Sequence, residues 1–489
     1  MRTWKPAAIA LAVAALVAGC GGGDSASDGA SFDLKGAPGS LLATPTALTS
    51  LTPADYQNLA NEVDTEGQPT ARAKAITGLL QVAGTPKCTV TFNYFQYGTV
   101  GGANEKTMAS GGIMVPSGDA LACQGERPVL LYAHGTSTDK NKNMASPQDG
   151  EAALVAAMYA AQGYIVVAPN YAGYEASTLS YHPYVNLEQQ AQDVVDALTA
   201  ARKGFSAVGA NASSKLFVAG YSQGGFVSMA AQRKLQLDGT PVTAGAHSSG
   251  PYALGQYVDA NFLGRVALGA TAFAPLLSTS FQRAYGNIYA SPEAMYESTF
   301  APGIETLLPS ATPIETLFST GKLPATFMFE GTAPDPRLAL FFGTPNLIKT
   351  SYRQALLADF AANTAAPQHP LRVAAYKNDL LQQKWTPNRS MLLCGGNADP
   401  TVFFDVNTGN AQTYFGSRMP AGSLLVLDVD SDPTSENDPF ALVKGGFKLA
   451  KAAAGDAATV LRTYHGTLVP PFCNRASREY FSQFLSQPS

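Results

Sequence analysis

Residues 216–225 read Leu-Phe-Val-Ala-Gly-Tyr-Ser-Gln-Gly-Gly, an apolar run followed by one serine set between glycines. The pattern predicts a buried strand, a sharp turn and the start of a helix, with Ser222 at the corner. Gly220 and Gly224 stand two residues to either side, where a side chain would collide with neighbouring backbone. This arrangement is typical of a nucleophile elbow, which raises a serine hydroxyl to the edge of a sheet.

The segments around this corner alternate between helical and strand patterns. Residues 151–162 are strong helix formers ending before a glycine, and residues 164–169 form an apolar run that predicts a buried strand. An amphipathic helix is predicted over 188–203, a helix over 223–234 and a strand over 242–246. Such alternation predicts an α/β fold with a mostly parallel sheet and helices on both faces.

A nucleophilic serine needs a base to take its proton, and the chain has five histidines. In the α/β-hydrolase arrangement the order along the chain is serine, acid, histidine. Four histidines fail this order, because they precede the serine, leave no room for the acid, or precede the best candidate for the acid: His134, His182, His247 and His369. His465, near the C-terminus, is therefore the predicted base.

The acid is expected on a loop after a strand between Ser222 and His465. Residues 390–402 have this form, with an apolar run, a glycine turn and then Asp399. Its carboxylate would hold the imidazole in one tautomer and stabilise the imidazolium. Asp405 is the rival candidate, and Asp399 is alternatively only the start of an Asp-Pro turn.

An oxyanion hole needs donors directed at the charge that develops on the substrate carbonyl oxygen. One predicted donor is the amide of Gln223, the residue after the nucleophile. The other is the amide of Thr136 or Gly135, in the loop that follows the apolar run 128–133. His134 is expected to orient this loop.

Together these motifs resemble the secretory lipase family of α/β-hydrolases, which includes the fungal lipase A type. The resemblance covers most of the chain from about residue 80 and rests on residues 132–136, 163–171, 220–225, 397–400 and 464–467. It implies hydrolysis of carboxylic esters, with Ser222, Asp399 and His465 at the triad positions. The His-Gly form of the oxyanion loop is not universal in that family.

The separation of 177 residues between Ser222 and Asp399 is longer than two strands and their helices require. The surplus predicts a mainly helical cap over residues 251–370, inserted between core segments 51–250 and 371–489. This insertion is rich in aromatic and apolar side chains. A cap of this composition would shape an apolar pocket for the acyl group of an ester.

The N-terminus predicts export. Residues 1–19 combine a positive start with an apolar segment too short to span a membrane, and Cys20 completes a lipobox-like sequence. Cys20 would carry a lipid anchor, and Gly21 after it favours the outer membrane of a bacterial cell envelope. The alternative is an ordinary secretory signal and a secreted protein. Residues 20–50, rich in Gly, Ser and Ala, predict a flexible tether.

Four cysteines remain once Cys20 is set aside, an even number in an oxidising compartment. Three pairings are conceivable. Cys88 and Cys123 flank predicted antiparallel strands, whereas Cys394 and Cys473 lie close in sequence to Asp399 and His465, so the expected disulfides are Cys88–Cys123 and Cys394–Cys473. The alternative is four separate thiols.

Composition limits the remaining function classes. The net charge is -4 and only 14% of residues are charged, so no basic surface for nucleic acid is predicted. The acidic stretch 428–438 lacks the glycine and glutamate of an EF-hand and is expected to be a solvated insertion. No metal or cofactor is predicted. The sequence favours an esterase or lipase, with a prolyl-type peptidase, a polyester-degrading esterase and a non-catalytic binding lipoprotein as alternatives.

Overall fold

The computed structural model describes residues 36–486 of the chain. Their strands are β1 (Thr46–Leu51), β2 (Thr89–Val100), β3 (Lys106–Ser117), β4 (Arg127–Ala133), β5 (Ile165–Pro169), β6 (Ala212–Tyr221), β7 (Ala244–Ser248), β8 (Met391–Gly395) and β9 (Leu424–Asp428). They form one sheet in the spatial order β1-β2-β3-β5-β4-β6-β7-β8-β9. The predicted signal peptide, Cys20 and the first part of the tether lie outside the described residues.

The sheet is mostly parallel, as predicted. Strands β5, β4, β6, β7, β8 and β9 run parallel, whereas β1, β2 and β3 extend one edge in antiparallel pairs. Parallel strands end at the same edge of a sheet, so the loops after β4, β6 and β8 meet there. This is the edge that the α/β-hydrolase order of motifs requires, and the predicted fold is confirmed.

Helices cover both faces of the sheet and fill the long connections. They are α1 (Pro53–Ala60), α2 (Ala71–Ala83), α3 (Gly150–Met158), α4 (Leu187–Gly204), α5 (Gln223–Leu237), α6 (Leu254–Leu263), α7 (Ala270–Tyr285), α8 (Pro292–Met295), α9 (Ile314–Ser319), α10 (Thr350–Ala362), α11 (Pro370–Lys377), α12 (Asn410–Gly416), α13 (Ala441–Ala453), α14 (Ala457–Thr463) and α15 (Val469–Ser482). A π-helical turn, Tyr464–Leu468, joins α14 to α15.

Strand β6 shows why the central run is continuously apolar. Leu216 and Val218 point into the core that includes α4 and α5, and Phe217 and Ala219 into the opposite core with α3 and α15. Successive side chains of a strand face opposite sides, so a strand covered on both faces buries every residue. The predicted strand at 216–219 is therefore part of a longer one, of which residues 216–221 are buried.

Strand β7 begins two residues later than the predicted 242–246 and includes His247, which was expected beyond its end. The imidazole is tolerated inside the sheet because both its nitrogens have partners on α5, with Nδ1 2.8 Å from Ser228 Oγ and Nε2 2.7 Å from Gln232 Oε1. His247 is thus a core residue whose two ring nitrogens both have hydrogen-bond partners.

The predicted tether ends too late in the sequence. Residues 46–51 form β1, which pairs antiparallel with β2, and Gly39 N–H donates to Gly98 O at 2.9 Å. An edge strand meets the hydrogen-bonding needs of its backbone on one side by pairing, whereas a tether would leave them to water.

The long connection between β7 and β8 contains six helices, α6 to α11. Arg372 on α11 is fully buried, and its guanidinium contacts Asp259 on α6 at 2.7 Å and Asp359 on α10 at 2.6 Å. A guanidinium between two carboxylates compensates charges that would be costly to bury alone. These ion pairs join three helices of the connection between β7 and β8.

The expectation of two disulfides is confirmed. Cys88 pairs with Cys123, closing the β2–β3 hairpin at its base, and Cys394 pairs with Cys473. The second bridge connects the end of β8 with α15, joining cysteines separated by 79 residues. Within residues 36–486, no helix is both long enough and apolar enough to cross a membrane.

Candidate active site

Ser222 occupies the corner between β6 and α5 in a conformation that few residues adopt. Its φ is +59° and its ψ is -125°, and its amide donates to Ser248 O at 2.9 Å. A serine with positive φ is strained and persists only where the surroundings hold it. The packing around the turn compensates this strain.

The glycines of the motif are required by close backbone contacts. A Cβ on Gly220 would lie 2.1 Å from Gly224 O, and one on Gly224 would lie 1.9 Å from Ala133 O. Real Cβ atoms do not approach backbone oxygens so closely. Strand β4, the turn and the first residues of α5 therefore pack together only because both positions lack side chains.

Three predicted site residues meet at this corner. His465 Nε2 lies 2.7 Å from Ser222 Oγ, and His465 Nδ1 lies 2.7 Å from Asp399 Oδ2. The side chain of Asp399 is 1% exposed and that of His465 is 12% exposed. With the proton on Nδ1 donated to the carboxylate, Nε2 is left to accept the serine proton.

Asp399 uses its two oxygens for two purposes. Oδ2 faces His465, while Oδ1 accepts the amides of Thr401 at 2.9 Å and Val402 at 3.0 Å. The carboxylate therefore starts a turn, as the alternative interpretation held, and also contacts the imidazole. The rival, Asp405, forms an exposed bidentate ion pair with Arg265.

The backbone of the histidine turn is held by two tyrosines that the sequence did not single out. Tyr221 hydroxyl donates to His465 O at 2.6 Å. Tyr464 hydroxyl donates to Asp430 Oδ2 at 2.7 Å and accepts the amide of Ala398 at 3.3 Å, next to Asp399. Burial and the Asp399 charge raise the pKa of Tyr221, so its hydroxyl remains a donor.

The acidic stretch 428–438 is only in part the solvated insertion that was expected, because residues 432–437 are exposed whereas the side chains of Asp430 and Asp438 are buried. The Asp430 side chain is largely buried between Tyr464 and Lys451, at 2.7 and 2.5 Å, and Asp438 forms a buried ion pair with Lys444 at 2.8 Å. Carboxylates are buried here because each has a cationic or hydroxyl partner. Among residues 36–486, no cluster of His, Cys, Asp and Glu could hold a metal ion.

The predicted oxyanion donors separate into two kinds. The Gly135 amide is already bound, donating to Glu151 at 2.9 and 3.1 Å, so its assignment as a donor to substrate is wrong. In contrast, the amides of Thr136 and Gln223 have no acceptor among the described residues. Gln223 is the first residue of α5, where helix amides are free to bind an anion.

Three of the four other histidines lie inside the core, where they cannot serve as the base. His134, His182 and His247 are fully buried, and burial lowers the pKa of each to about 3. His134 Nδ1 lies 2.6 Å from Gly135 O and its Nε2 3.1 Å from Asn170 O, in agreement with the predicted role in orienting the loop. His182 Nε2 lies 2.6 Å from Gln223 Nε2.

A cavity opens beside Ser222 and enters the helical insertion. Its volume is about 700 Å³ with its open mouth included. The walls combine core residues and residues of the insertion, and none of them is charged: Thr136, Tyr184, Val185, Ser222, Gln223, Pro251, Leu254, Tyr257, Val258, Asn261, Phe262, Ala267, Ala270, Phe273, Ala274, Leu277, Met328, Thr401 and Val402. Such walls suit an apolar group attached to the carbon that a serine would attack.

The fold and this corner define an α/β-hydrolase with a serine, a histidine and an aspartate in hydrogen-bonding sequence. Residues 144–242 match the model of the secretory lipase family, which confirms the resemblance seen in the sequence. No curated protein matches the chain.

Solved structures of similar shape cover almost the whole chain. A mutant form of the rice cell wall degrading esterase LipA from Xanthomonas oryzae is 26% identical, covers 92% of this chain and 99% of its own, and has a TM-score of 0.69. A ligand-bound form of LipA is 25% identical, covers 91% of this chain and 98% of its own, and has a TM-score of 0.68. A putative hydrolase from Legionella pneumophila, 18% identical, covers 92% of this chain and 99% of its own with a TM-score of 0.65, a likeness of fold. The protein described here is a carboxylic ester hydrolase.

Proposed function

We propose that the protein cleaves carboxylic esters through an acyl-enzyme on Ser222. The observation that carries the proposal is the chain of two 2.7 Å contacts from Ser222 Oγ through His465 to Asp399. Ser222 Oγ attacks the ester carbonyl carbon while His465 Nε2 takes its proton, and the imidazolium then protonates the departing alcohol. Water, deprotonated by the same nitrogen, releases the carboxylic acid and restores the serine.

The tetrahedral oxyanion is bound by the amides of Thr136 and Gln223. Both belong to residues that line the cavity with Ser222, and both amides lack acceptors among the described residues. Each such donor contributes roughly 3 kcal/mol to stabilisation of the transition state. Asp399 holds the imidazole in the tautomer that accepts from serine and stabilises its charged form.

The helical insertion acts as a cap that receives the acyl group. Its helices α6 and α7 contribute most of the apolar wall, including Leu254, Phe262, Phe273 and Leu277. Burying apolar acyl surface there is favourable by about 25 cal/mol per Å², and it excludes water from the bound ester. The preferred substrate is therefore an ester with an apolar acyl group, and no cofactor takes part.

The test is hydrolysis of p-nitrophenyl esters from acetate to palmitate by the full-length protein, Ser222→Ala and Asp399→Asn. Activity should vanish in Ser222→Ala and fall about 10⁴-fold in Asp399→Asn, which keeps the shape of the carboxylate but permits the wrong tautomer. Specificity should increase with acyl length until the cavity is filled. Ester hydrolysis that survives in Ser222→Ala would refute the proposed nucleophile.

Two alternative functions, a peptidase and an esterase acting on a polymer, differ in the substrate that each would cleave. A peptidase that acts at a peptide terminus needs a charged group to anchor that terminus, and none of the residues lining the cavity is charged. The likeness to a rice cell wall degrading esterase favours, as a second candidate, esters carried on a polymer. Release of acid from an insoluble polyester, compared with cleavage of a prolyl p-nitroanilide, distinguishes the two.

We propose further that the protein is exported and attached to the cell envelope through lipid on Cys20, with the outer membrane as its site. The match to a family of secretory lipases supports export. The lipobox-like sequence ending at Cys20 supports the anchor. Incorporation of labelled palmitate into the wild-type protein and its loss in Cys20→Ser test this; an unlabelled protein in the medium would indicate the plain secretory alternative.

A further inference from the structure

The loop between β5 and α4 places one tyrosine against the oxyanion loop. Tyr184 hydroxyl lies 3.0 Å from Thr136 Oγ1, and either oxygen can be the donor. Among the described residues, the Tyr184 hydroxyl has no other hydrogen-bond partner, and the same holds for the Thr136 hydroxyl. Two hydroxyls that share one hydrogen bond leave one proton unused.

The two hydroxyls belong to residues that line the cavity beside the reactive serine. Gly135, which precedes Thr136, packs directly on the corner, since a Cβ built on it would lie 3.6 Å from Ser222 Cβ. The hydroxyl of Thr136 therefore belongs to the same short segment as the amide that we assign to the oxyanion.

The chemistry of the two hydroxyls decides which proton is free. A phenol is more acidic than an aliphatic alcohol and is the better donor, so the Tyr184 proton is directed at Thr136 Oγ1. Burial raises the pKa of Tyr184 to about 12, so the phenol keeps its proton at neutral pH. With that assignment the Thr136 hydroxyl proton has no acceptor among the described residues.

The backbone around Tyr184 is held in an uncommon shape. Val185 is buried and has a φ of +44°, which is a genuine outlier for a β-branched residue. The next residue, Asn186, caps α4 by accepting the Gln189 amide at 3.3 Å, and the Leu187 amide donates to Asn378 Oδ1 at 2.9 Å. Strain of this kind is found where surrounding contacts fix a functional position.

We infer that the hydroxyl of Thr136 is a side-chain donor to the oxyanion, additional to the two backbone amides, and that Tyr184 is the positioning residue that orients it. The inference rests on the proposed function, because it assigns a further donor to the same tetrahedral intermediate. No bond beyond those of the acyl-enzyme cycle is made or broken.

The test is a double-mutant cycle with Thr136→Val and Tyr184→Phe. Thr136→Val keeps the backbone amide and the shape of the side chain but removes the hydroxyl, so kcat should fall about 10²-fold with KM changed less than about threefold. Tyr184→Phe should lower kcat about tenfold. Because Tyr184 acts through Thr136, the double variant should be no slower than Thr136→Val alone.

Two further variants separate this role from packing. Thr136→Ser restores a hydroxyl and should recover most of the activity lost in Thr136→Val. Tyr352→Phe removes a cap hydroxyl that donates to Ile288 O at 3.0 Å, outside the cavity walls, and should leave kcat unchanged. Thr136→Ala takes the place of Thr136→Val if that variant does not fold.

Inhibition by an alkyl boronic acid supplies a readout that a structural role would not change. The boronate forms a tetrahedral adduct on serine, so its inhibition constant should rise in Thr136→Val by the same factor by which kcat/KM falls. Three results would overturn the inference. They are a fall in kcat of less than about fivefold in Thr136→Val, a loss in the double variant equal to the product of the two single losses, and a larger loss in Tyr184→Phe than in Thr136→Val. Failure of the proposed function would instead appear as ester hydrolysis that persists in Ser222→Ala.

Discussion

The two halves of the active site are held in place by different kinds of contacts. Ser222 is fixed by backbone packing at one short turn, where Gly220 and Gly224 lie against the backbone of β4 and α5. Asp399 and His465 come from segments 66 residues apart and are joined by side-chain contacts and the Cys394–Cys473 bridge. The serine half is therefore specified locally, and the acid–histidine half by tertiary structure.

The two halves of the site should respond differently to substitutions. A local turn fails when one backbone contact is blocked, because no alternative packing is available. An assembly held by several side chains loses geometry in steps, because each contact contributes only part of the restraint. The serine half should thus respond to single substitutions with loss of the fold, and the acid–histidine half with graded loss of turnover.

The largest effect is expected from Gly224→Ala in the serine half. The added Cβ would lie 1.9 Å from Ala133 O, which belongs to a central strand and cannot move away. We expect the free energy of unfolding to fall by more than about 4 kcal/mol, or no folded protein at all. Chemical denaturation followed by circular dichroism measures the change.

Gly445→Ala is the matched control for that substitution. Gly445 lies inside α13 and nothing is within 4 Å of a Cβ built there, so alanine should be neutral or stabilising by up to about 1 kcal/mol. A Gly224→Ala protein within about 1 kcal/mol of wild type would show that the serine turn is not rigidly specified.

The next effect compares the two disulfides. Replacing either pair of cysteines by alanine should cost about 2–5 kcal/mol of unfolding free energy, since each closes a long loop. Only loss of Cys394–Cys473 should also lower kcat, by about tenfold to 10²-fold, because this bridge holds the strand before Asp399 to the helix after His465. Stability and ester turnover of both variants are measured where both remain folded. An equal loss of kcat in the Cys88–Cys123 variant would contradict this.

The same contrast explains which parts of the fold and of the site could be predicted from the sequence. The strand, the turn and the helix around Ser222 were readable because glycine spacing and an apolar run are local signals. Asp399 and His465 were found from the order of motifs along the chain, and their role as a triad remains a proposal. The end of β6 and the two-residue shift of β7 depended on pairing with neighbouring strands, which a single segment does not encode.

Residues that support the site were missed for a related reason. Glu151 was seen only as part of a helix, yet it binds the Gly135 amide and removes that residue from the oxyanion candidates. Tyr464 lies in the quoted histidine motif, but its partner, Asp430, belongs to a stretch that was expected to be solvated. A buried carboxylate becomes recognisable only when its donors are known, and those come from distant parts of the chain.

A smaller effect is expected where the two halves touch. Tyr221 lies beside Ser222, and its hydroxyl donates to His465 O at 2.6 Å. Tyr221→Phe removes this bond, worth about 1 kcal/mol, and should lower kcat by about threefold to tenfold without changing KM. Tyr164→Phe is the control, because the buried Tyr164 hydroxyl has no partner among the described residues. Equal kcat in Tyr221→Phe and wild type would mean that the halves are positioned independently.

The last effect concerns stability at low pH and involves His247, which is buried in β7 beside the strand that leads to Ser222. Burial lowers the pKa of its imidazole to about 3, from an ordinary value near 6.5, so unfolding takes up a proton between these two values. Stability from the neutral ring is fully present above about pH 6.5 and is lost as the pH falls toward 3.

His247→Gln should therefore reduce the dependence of unfolding free energy on pH by up to about 1.4 kcal/mol per pH unit between about pH 4 and 6. The measurement is a series of denaturation curves across that range. His369 is only half-buried, and burial lowers its pKa as well, so His369→Gln should change the slope less. An unchanged slope in His247→Gln would show that water or a proton reaches the core beneath the serine turn, and the serine half would then be less rigid than its backbone contacts imply.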